Sequence, residues 1–213
     1  MRRHHLEPAP QRRKAGISWQ QFLKIHWNVL AATDFFTVEV ATWHGLVTYY
    51  VLVVMELSTR RVHMAGITSH PTDAFMTQCA RQLTDHVDGF LLFKRYLIHD
   101  RDEKFVHGFD AMLRASGVEP VVLLPRSPNL NAYCERFARS IKEEALGQMV
   151  MLGERSLYYV MQQYLTHYHM ECNHQGLNNQ LIVREGAVGY QMGPVVCRER
   201  LGGLLSYYHR EAA

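Results

Sequence analysis

The chain has 213 residues, of which 47% are hydrophobic and 20% are charged, and its formal net charge is +3 with neutral histidines. This length suits one globular domain with appendages, or at most two small domains. The sequence contains no long uncharged apolar run and no N-terminal apolar signal region, so we expect no membrane partner. The mildly basic balance permits a polyanionic partner without requiring one.

Cysteine usage and the N-terminal charge add two expectations. The four cysteines are Cys79, Cys134, Cys172 and Cys197, and none of them is in a C-x-x-C spacing. This pattern favours reduced thiols in a cytosolic compartment. The first fourteen residues, "MRRHHLEPAPQRRK", are rich in Arg and Lys. Such a segment is most often a disordered arm and sometimes a nucleic-acid contact.

The first predicted elements are a short helix and three strands. An amphipathic pattern over 15–28 predicts a helix that Ser18 can cap. Three segments rich in β-branched and aromatic residues follow at 29–42, 45–57 and 60–69. Their links are short enough for hairpins, so we predict an antiparallel three-strand meander.

The second half alternates helices with two further strands. Thr72 and Gly117 are expected to cap one helix and to end another. Asn129 or Asn131 is expected to cap the helix that contains Glu135. We predict helices over 70–87, 105–117, 129–147 and 156–169, strands over 94–100 and 118–125, and a minor hairpin over 193–209. This order predicts an α/β fold, a mixed five-stranded sheet flanked by helices.

Three acidic residues stand out, and each has an ordinary alternative. Asp34 lies in an apolar strand on the same face as Ala32 and Phe36, where a charge is costly to bury, although an edge strand could expose it. Asp100 ends a strand, where α/β sheets usually place chemistry, but turn-forming aspartates are common there. Glu135 lies in the first turns of a helix, a position that also suits an ordinary acidic residue.

Asp102 and Glu103 compete with Asp100 for any role at that turn. Three converging carboxylates would raise one another's pKa values, and a divalent cation removes that penalty. Hard oxygen ligands suit Mg²⁺ or Mn²⁺. Two such ions can activate a water or a 3′-hydroxyl in phosphodiester chemistry and stabilise the leaving oxygen.

The stretches around these acids, "ATDFF", "LIHDRD" and "SPNLNAYCERF" followed by "SIKEE", resemble the integrase core of bacterial insertion-sequence transposases. These enzymes form the DDE family with an RNase H-like fold. The resemblance spans about 29–180, and the later "YHMECNHQGL" is similar to another family segment. It implies a 1–28 basic arm and helix, a 29–180 catalytic core and a 181–213 extension.

The resemblance also implies a catalytic and metal-binding triad of Asp34, Asp100 and Glu135, with Asp34 bridging two Mg²⁺ or Mn²⁺ ions. Asn131 would support the loop that leads into the Glu135 helix. The implied activity is metal-dependent DNA cleavage and strand transfer. The implied partners are double-stranded DNA and further copies of the chain, in a bacterial cytoplasm close to the nucleoid.

DNA contacts are predicted along the Glu135 helix. Glu135, Arg139 and Lys142 are spaced i, i+4 and i+7, so they share one helix face that can present a ligand and cations for phosphates. The alternative is that Arg139 pairs with Glu135 or Glu143, which is worth little. The full predicted DNA-binding set is Arg101, Asn131, Arg139, Lys142 and His174.

Other functions remain open at this point. A zinc site formed by His167, His169, Cys172 and His174 is conceivable, but its spacing fits no usual pattern. Cys172 and Asn173 depart from the family segment, which puts a DNA contact in doubt. The chain could therefore be a catalytically idle DNA-binding or assembly module, or a stand-alone RNase H-like nuclease.

Overall fold

The computed structural model describes residues 18–105, 107–123, 131–183 and 193–210. The basic arm and Asn129 lie outside these residues. Five helices are present within them: α1 (Trp19–His26), α2 (Asp73–Leu83), α3 (His107–Ala115), α4 (Ala132–Glu144) and α5 (Gly153–Met170). The strands are β1 (Leu30–Thr42), β2 (Gly45–Glu56), β3 (Val62–Thr68), β4 (Tyr96–His99), β5 (Glu119–Val122), β6 (Met151–Leu152), β7 (Val195–Arg200) and β8 (Leu205–Arg210).

The main sheet has the order β3-β2-β1-β4-β5, with β6 added beside β1. The first three strands form the predicted antiparallel meander, and β4 and β5 run parallel to β1. The α/β class and the three-plus-two strand arrangement are therefore confirmed. The count of five strands is wrong within the described residues, because the sheet has six.

The missed strand explains how β1 is arranged along its length. β1 pairs with β4 only at Leu30–Ala32 and with β6 only at Val40 and Ala41. A two-residue strand has too little pattern to be seen in a sequence. Between these two short ladders, the middle of β1 pairs with β2 and has no partner strand on its other side among the described residues.

The two faces of the sheet bury two apolar clusters. Alternate β1 side chains, including Ala32, Phe36 and Val38, pack with α4 and α5. The opposite face packs with α2 and α3 through residues such as Leu52, Val54 and Phe109. Successive strand side chains point to opposite faces of the sheet, so a sheet covered by helices on both sides buries apolar side chains on both faces.

Helix ends follow the local signals closely. Ser18 accepts from Gln21 N at 3.2 Å and the Gln21 side chain accepts from Ser18 N, which completes a capping box. Thr72 caps α2, and Gly117 follows α3 with a φ of 82°. The start of α5 was predicted three residues late, because Gly153 and Glu154 carry no apolar signal.

The C-terminal hairpin β7–β8 packs on α5. Leu205 is buried in the α4–α5 cluster. Arg200 donates to both carboxylate oxygens of Glu171, at 2.7 and 2.9 Å, and His167 lies 2.8 Å from the same carboxylate. The β7–β8 hairpin is thus fixed to the core by an ion pair between the buried Glu171 and the partly buried Arg200. None of the described helices is long and apolar enough to cross a membrane.

Candidate active site

Asp34 and Asp100 are brought side by side by the strand register. The last β1–β4 pair is Ala32 with Ile98. Each aspartate lies two residues beyond this pair, and neighbouring parallel strands are about 4.8 Å apart. The two acids therefore emerge at one edge of the sheet, where β4 ends and the loop begins.

Glu135 reaches this edge because α4 is anchored to β1. Asn131 is buried, and its Nδ2 donates to Thr33 O at 3.0 Å, one residue before Asp34. Asn131 occupies the N-cap position of α4 but makes no capping hydrogen bond, so the capping prediction is wrong for this residue. Its side chain joins the helix to the strand instead, a supporting role that its burial favours over direct contact with DNA.

Two of the three predicted acids, Asp34 and Glu135, line a cleft of about 650 Å³, whereas Asp100 is not among its described lining residues. Asp34, Asp102 and Glu135 line one part of it, and Arg139 and Lys142 line the helix side. The remaining lining residues are Phe35, Phe36, Thr37, Tyr50, Lys104, Ala138 and Glu143. Lys142 Nζ lies 5.6 Å from the centre of the Phe36 ring. The cleft thus carries both acidic and basic side chains, with Arg139, Lys142 and Glu143 further along α4 than Glu135.

Asp34 has a strongly perturbed pKa. The pKa of Asp34 is raised from 3.8 to about 7: burial is the largest cause, the hydrogen bond from the Phe35 N–H lowers it, and the charges of Asp100, Glu135 and Asp102 raise it. Asp100 and Glu135 therefore lie close enough to Asp34 for their charges to act on its carboxylate.

Asp102, the competitor for the Asp100 role, is compensated. Burial pushes the pKa of Asp102 upward, but hydrogen bonds and the charge of Lys104 outweigh this and lower it. The Lys104 Nζ lies 2.6 Å from Asp102 Oδ2, and it also lies over the rings of Tyr50 and Phe35. Lys104 was not among the site residues predicted from the sequence. The "DEK" run was a signal that could have identified Lys104.

The donor set fits a hard divalent cation by its chemistry. Asp34 Oδ1 accepts from Phe35 N at 2.8 Å and Asp100 Oδ1 accepts from Asp102 N at 3.0 Å, which fixes each carboxylate and leaves its second oxygen for other partners. Within the described ranges, however, no group of three His, Cys, Asp or Glu side chains is close enough to hold a metal ion. Glu135 is exposed on the first turn of α4 and is not drawn into a ligand cage.

Two predicted DNA contacts lie apart from this cleft. Arg101 is exposed and its Nε donates to Leu123 O at 3.0 Å, which ties the loop after β4 to the end of β5. His174 donates to Tyr168 O at 2.8 Å and lines a different pocket with Arg60. The zinc alternative at residues 167–174 is not supported, because no metal-binding group is found there among the described side chains.

Residues 116–180 match the family model described as integrase core domain. No curated protein sequence matches the chain. The HTLV-2 integrase catalytic core, solved in complex with magnesium in a dimeric form, is 11% identical with a TM-score of 0.51, over 67% of this chain and 87% of that chain. A chain of the simian T-cell lymphotropic virus intasome in complex with PP2A regulatory subunit B56 gamma is 11% identical with a TM-score of 0.51, over 86% of this chain and 67% of that chain. The BIV integrase catalytic core is 17% identical with a TM-score of 0.46, over 67% of this chain and 84% of that chain.

The fold of the chain is that of integrase catalytic cores, and residues 116–180, which include α4, Glu135 and α5, match an integrase core domain in sequence. The resemblance found in the sequence is confirmed at this level. The triad, the metal and a bacterial insertion-sequence origin go beyond it.

Proposed function

We propose that this protein is the catalytic core of a transposase that cuts DNA and joins a DNA 3′ end to a target. The observation that supports this most is Asp34, whose pKa is raised to about 7 by burial and by the charges of Asp100, Glu135 and Asp102. An uncompensated acidic cluster in a cleft is a frequent mark of a functional site. The insertion-sequence motifs favour a bacterial transposase over other enzymes with this fold.

In this proposal Asp34, Asp100 and Glu135 hold Mg²⁺ or Mn²⁺. When bound, the ions neutralise the carboxylates, activate the attacking water or 3′-hydroxyl and stabilise the leaving oxygen. The Phe35 and Asp102 backbone amides hold Asp34 and Asp100 in place. Asn131 fixes α4, and therefore Glu135, against β1.

Arg139 and Lys142 bind the DNA backbone in this proposal. Both are exposed on the cleft side of α4, one and two turns beyond Glu135. Their charges would contact phosphates near the cut bond and position the duplex without reading its sequence. Neither forms an ion pair among the described residues, so neither charge is already engaged.

Self-association, double-stranded DNA as the substrate and a location at the bacterial nucleoid complete the proposal. Transposition must hold two DNA ends together, and this favours an assembly of several copies. The related HTLV-2 core is described in a dimeric form, and the simian virus chain in an intasome.

The experiment is a cleavage and joining assay with Mg²⁺ or Mn²⁺. Nicking of supercoiled plasmid, together with joining of a labelled 3′-hydroxyl oligonucleotide to it, supports the proposal. Retention of DNA without nicking in either metal would make the chain an idle binding or assembly module. Cleavage of RNA–DNA hybrid with no cleavage of duplex DNA would make it an RNase H-like nuclease.

A further inference from the structure

A second pocket lies beside α4, lined by helix residues that alternate with those of the acidic cleft. Its volume is about 320 Å³. Successive helix residues are about 100° apart, so Arg136 belongs to this pocket while Glu135 belongs to the cleft. Polar and aromatic side chains dominate the lining: Arg60, Tyr133, Arg136, Ser140, Tyr168 and His174.

Arg60 is held in this pocket in an unusual way. It follows β2 with a φ of 64°, a left-handed conformation that few residues other than glycine adopt. Its guanidinium carbon lies 3.8 Å from the centre of the Tyr133 ring and 5.3 Å from that of Trp27. Its Nη1 is buried and has no hydrogen-bond partner among the described residues. A buried donor without an acceptor costs free energy, so the site favours a ligand that supplies one.

The described lining of the pocket also carries basic but no acidic side chains, since it contains two arginines and no Asp or Glu. Neither Arg60 nor Arg136 forms an ion pair within the described part of the chain. Burial raises the pKa of Tyr168 to about 12, while the charges of both arginines act to lower it, which places both guanidinium groups near the same phenol.

The shape of the pocket favours an oxyanion over a planar ring. Arg60 covers a face of the Tyr133 ring, and Tyr168 packs edge to face against Phe137 and His174. A Cβ at Gly176 would lie 3.4 Å from Arg60 Nη2 and 3.6 Å from its Nε, so the absence of a side chain there leaves this edge of the guanidinium approachable. The planar fork of an arginine matches a phosphate in geometry.

We propose that this pocket binds a phosphate of a nucleic-acid backbone, with Arg60 and Arg136 as its two ligands. The nucleic-acid source of the phosphate rests on the proposed function, whereas the oxyanion site does not. A strand bound here would cross α4 next to Glu135. The pocket would then hold the DNA at a point separate from Arg139 and Lys142.

The first experiment measures thermal stabilisation of the full chain by inorganic phosphate, against chloride at equal ionic strength. Phosphate should raise the Tm of the wild type and of Arg61→Gln, an exposed neighbour outside this pocket. The rise should be lost in Arg136→Gln, which removes an exposed side chain and leaves the fold intact. It should be reduced in Arg60→Lys, which keeps the charge and loses the fork. Equal rises in all four proteins would overturn the oxyanion site.

The second experiment tests the source of the phosphate by duplex DNA binding over a salt series without divalent metal. Arg136→Gln should weaken binding about 3- to 10-fold and lower the slope of log K against log salt by about 0.9, while Arg61→Gln should match the wild type. If Arg136→Gln loses the Tm rise with phosphate but keeps the wild-type salt slope of duplex binding, the DNA assignment is overturned and the ligand is a free oxyanion. If the wild type binds no duplex at all, the proposed function fails, and the phosphate experiment still decides the pocket.

Discussion

Asp34 and Glu171 are two largely enclosed carboxylates in one fold, and their surroundings shift their pKa values in opposite directions. The pKa of Asp34 is raised to about 7 by burial and neighbouring acids. Burial also pushes the pKa of Glu171 upward, but hydrogen bonds from Arg200 and His167 outweigh it and lower the value to about 2. The Glu171 carboxylate is paired with arginine side chains, whereas the raised pKa of Asp34 comes first from burial and then from neighbouring acids.

This difference fits a structural role for Glu171 and the functional role that we propose for Asp34. The Glu171 carboxylate is satisfied on both oxygens and fastens the C-terminal hairpin to α5. The raised pKa of Asp34 means that ionising its carboxylate costs stability, and a bound cation would offset that cost. Fold stability should therefore depend on Glu171, and catalysis on Asp34.

The largest expected effect is on catalysis. Asp34→Asn should reduce DNA cleavage by at least about 10³-fold, or about 4 kcal/mol, because the site loses a charged ligand. Asp102→Asn is the matched control, since Asp102 lines the same cleft but is already paired with Lys104. It should lose far less in the same plasmid-nicking assay. Full activity in Asp34→Asn would remove Asp34 from the site.

The next effect is on stability. Glu171→Gln should lower the free energy of unfolding by about 3 kcal/mol, because it leaves Arg200 partly buried without its charge partner. Glu199→Gln, an exposed change on the same hairpin, should stay within about 0.5 kcal/mol. Denaturant unfolding monitored by circular dichroism gives both values. Equal stability of the two variants would mean that the ion pair does not fasten the hairpin.

The two acids should also give opposite pH dependences. The depressed pKa of Glu171 contributes stability above about pH 4.5 that is lost as the pH falls toward 2. The raised pKa of Asp34 has the opposite sign, so that without metal its ionisation costs stability as the pH rises from about 4 to about 7.

In the presence of chelator, Asp34→Asn should therefore be more stable than the wild type at pH 8, by on the order of 2 kcal/mol. The two proteins should be alike near pH 3. Urea unfolding at both pH values provides the comparison. A variant that is less stable at pH 8 would show that the Asp34 charge is compensated after all.

The smallest effect concerns DNA affinity at the rim of the cleft. Lys142→Ala should weaken duplex binding a few-fold and lower the salt slope by about 0.9, because one phosphate contact is lost. Lys24→Ala, an exposed change on α1, is the control and should leave the slope unaltered. Fluorescence anisotropy over a salt series measures both. Identical salt slopes for the two variants would mean that Lys142 is an ordinary solvated side chain without a phosphate contact.

The sequence was most informative where a local pattern decides the structure. Alternation along β1 placed Asp34 on the same face as Ala32 and Phe36, and both neighbours are indeed buried in the α4–α5 cluster. The caps at Ser18 and Thr72 follow from side chains that satisfy nearby backbone amides. The resemblance then linked acids that are distant in the sequence, which no local pattern could do, and their joint role as a triad stays a prediction.

The features that the sequence did not predict depend on contacts between residues far apart in the chain. Arg60 and Arg136 meet only because the turn after β2 folds against α4, and the Glu171–Arg200 pair forms only when the hairpin docks. The Asn131 side chain looked like a helix cap but bonds to Thr33, 98 residues away. Such partners are set by tertiary packing and have no signature at short range.

The most direct test of the account is divalent-metal binding measured without DNA or turnover. Thermal unfolding of the wild type, Asp34→Asn and Asp102→Asn with increasing Mn²⁺ reports whether the uncompensated carboxylates form the cation site. We expect Mn²⁺ to raise the Tm of the wild type and of Asp102→Asn and to leave Asp34→Asn unchanged. A wild-type Tm that does not respond to Mn²⁺, or an equal rise in all three proteins, would contradict the account.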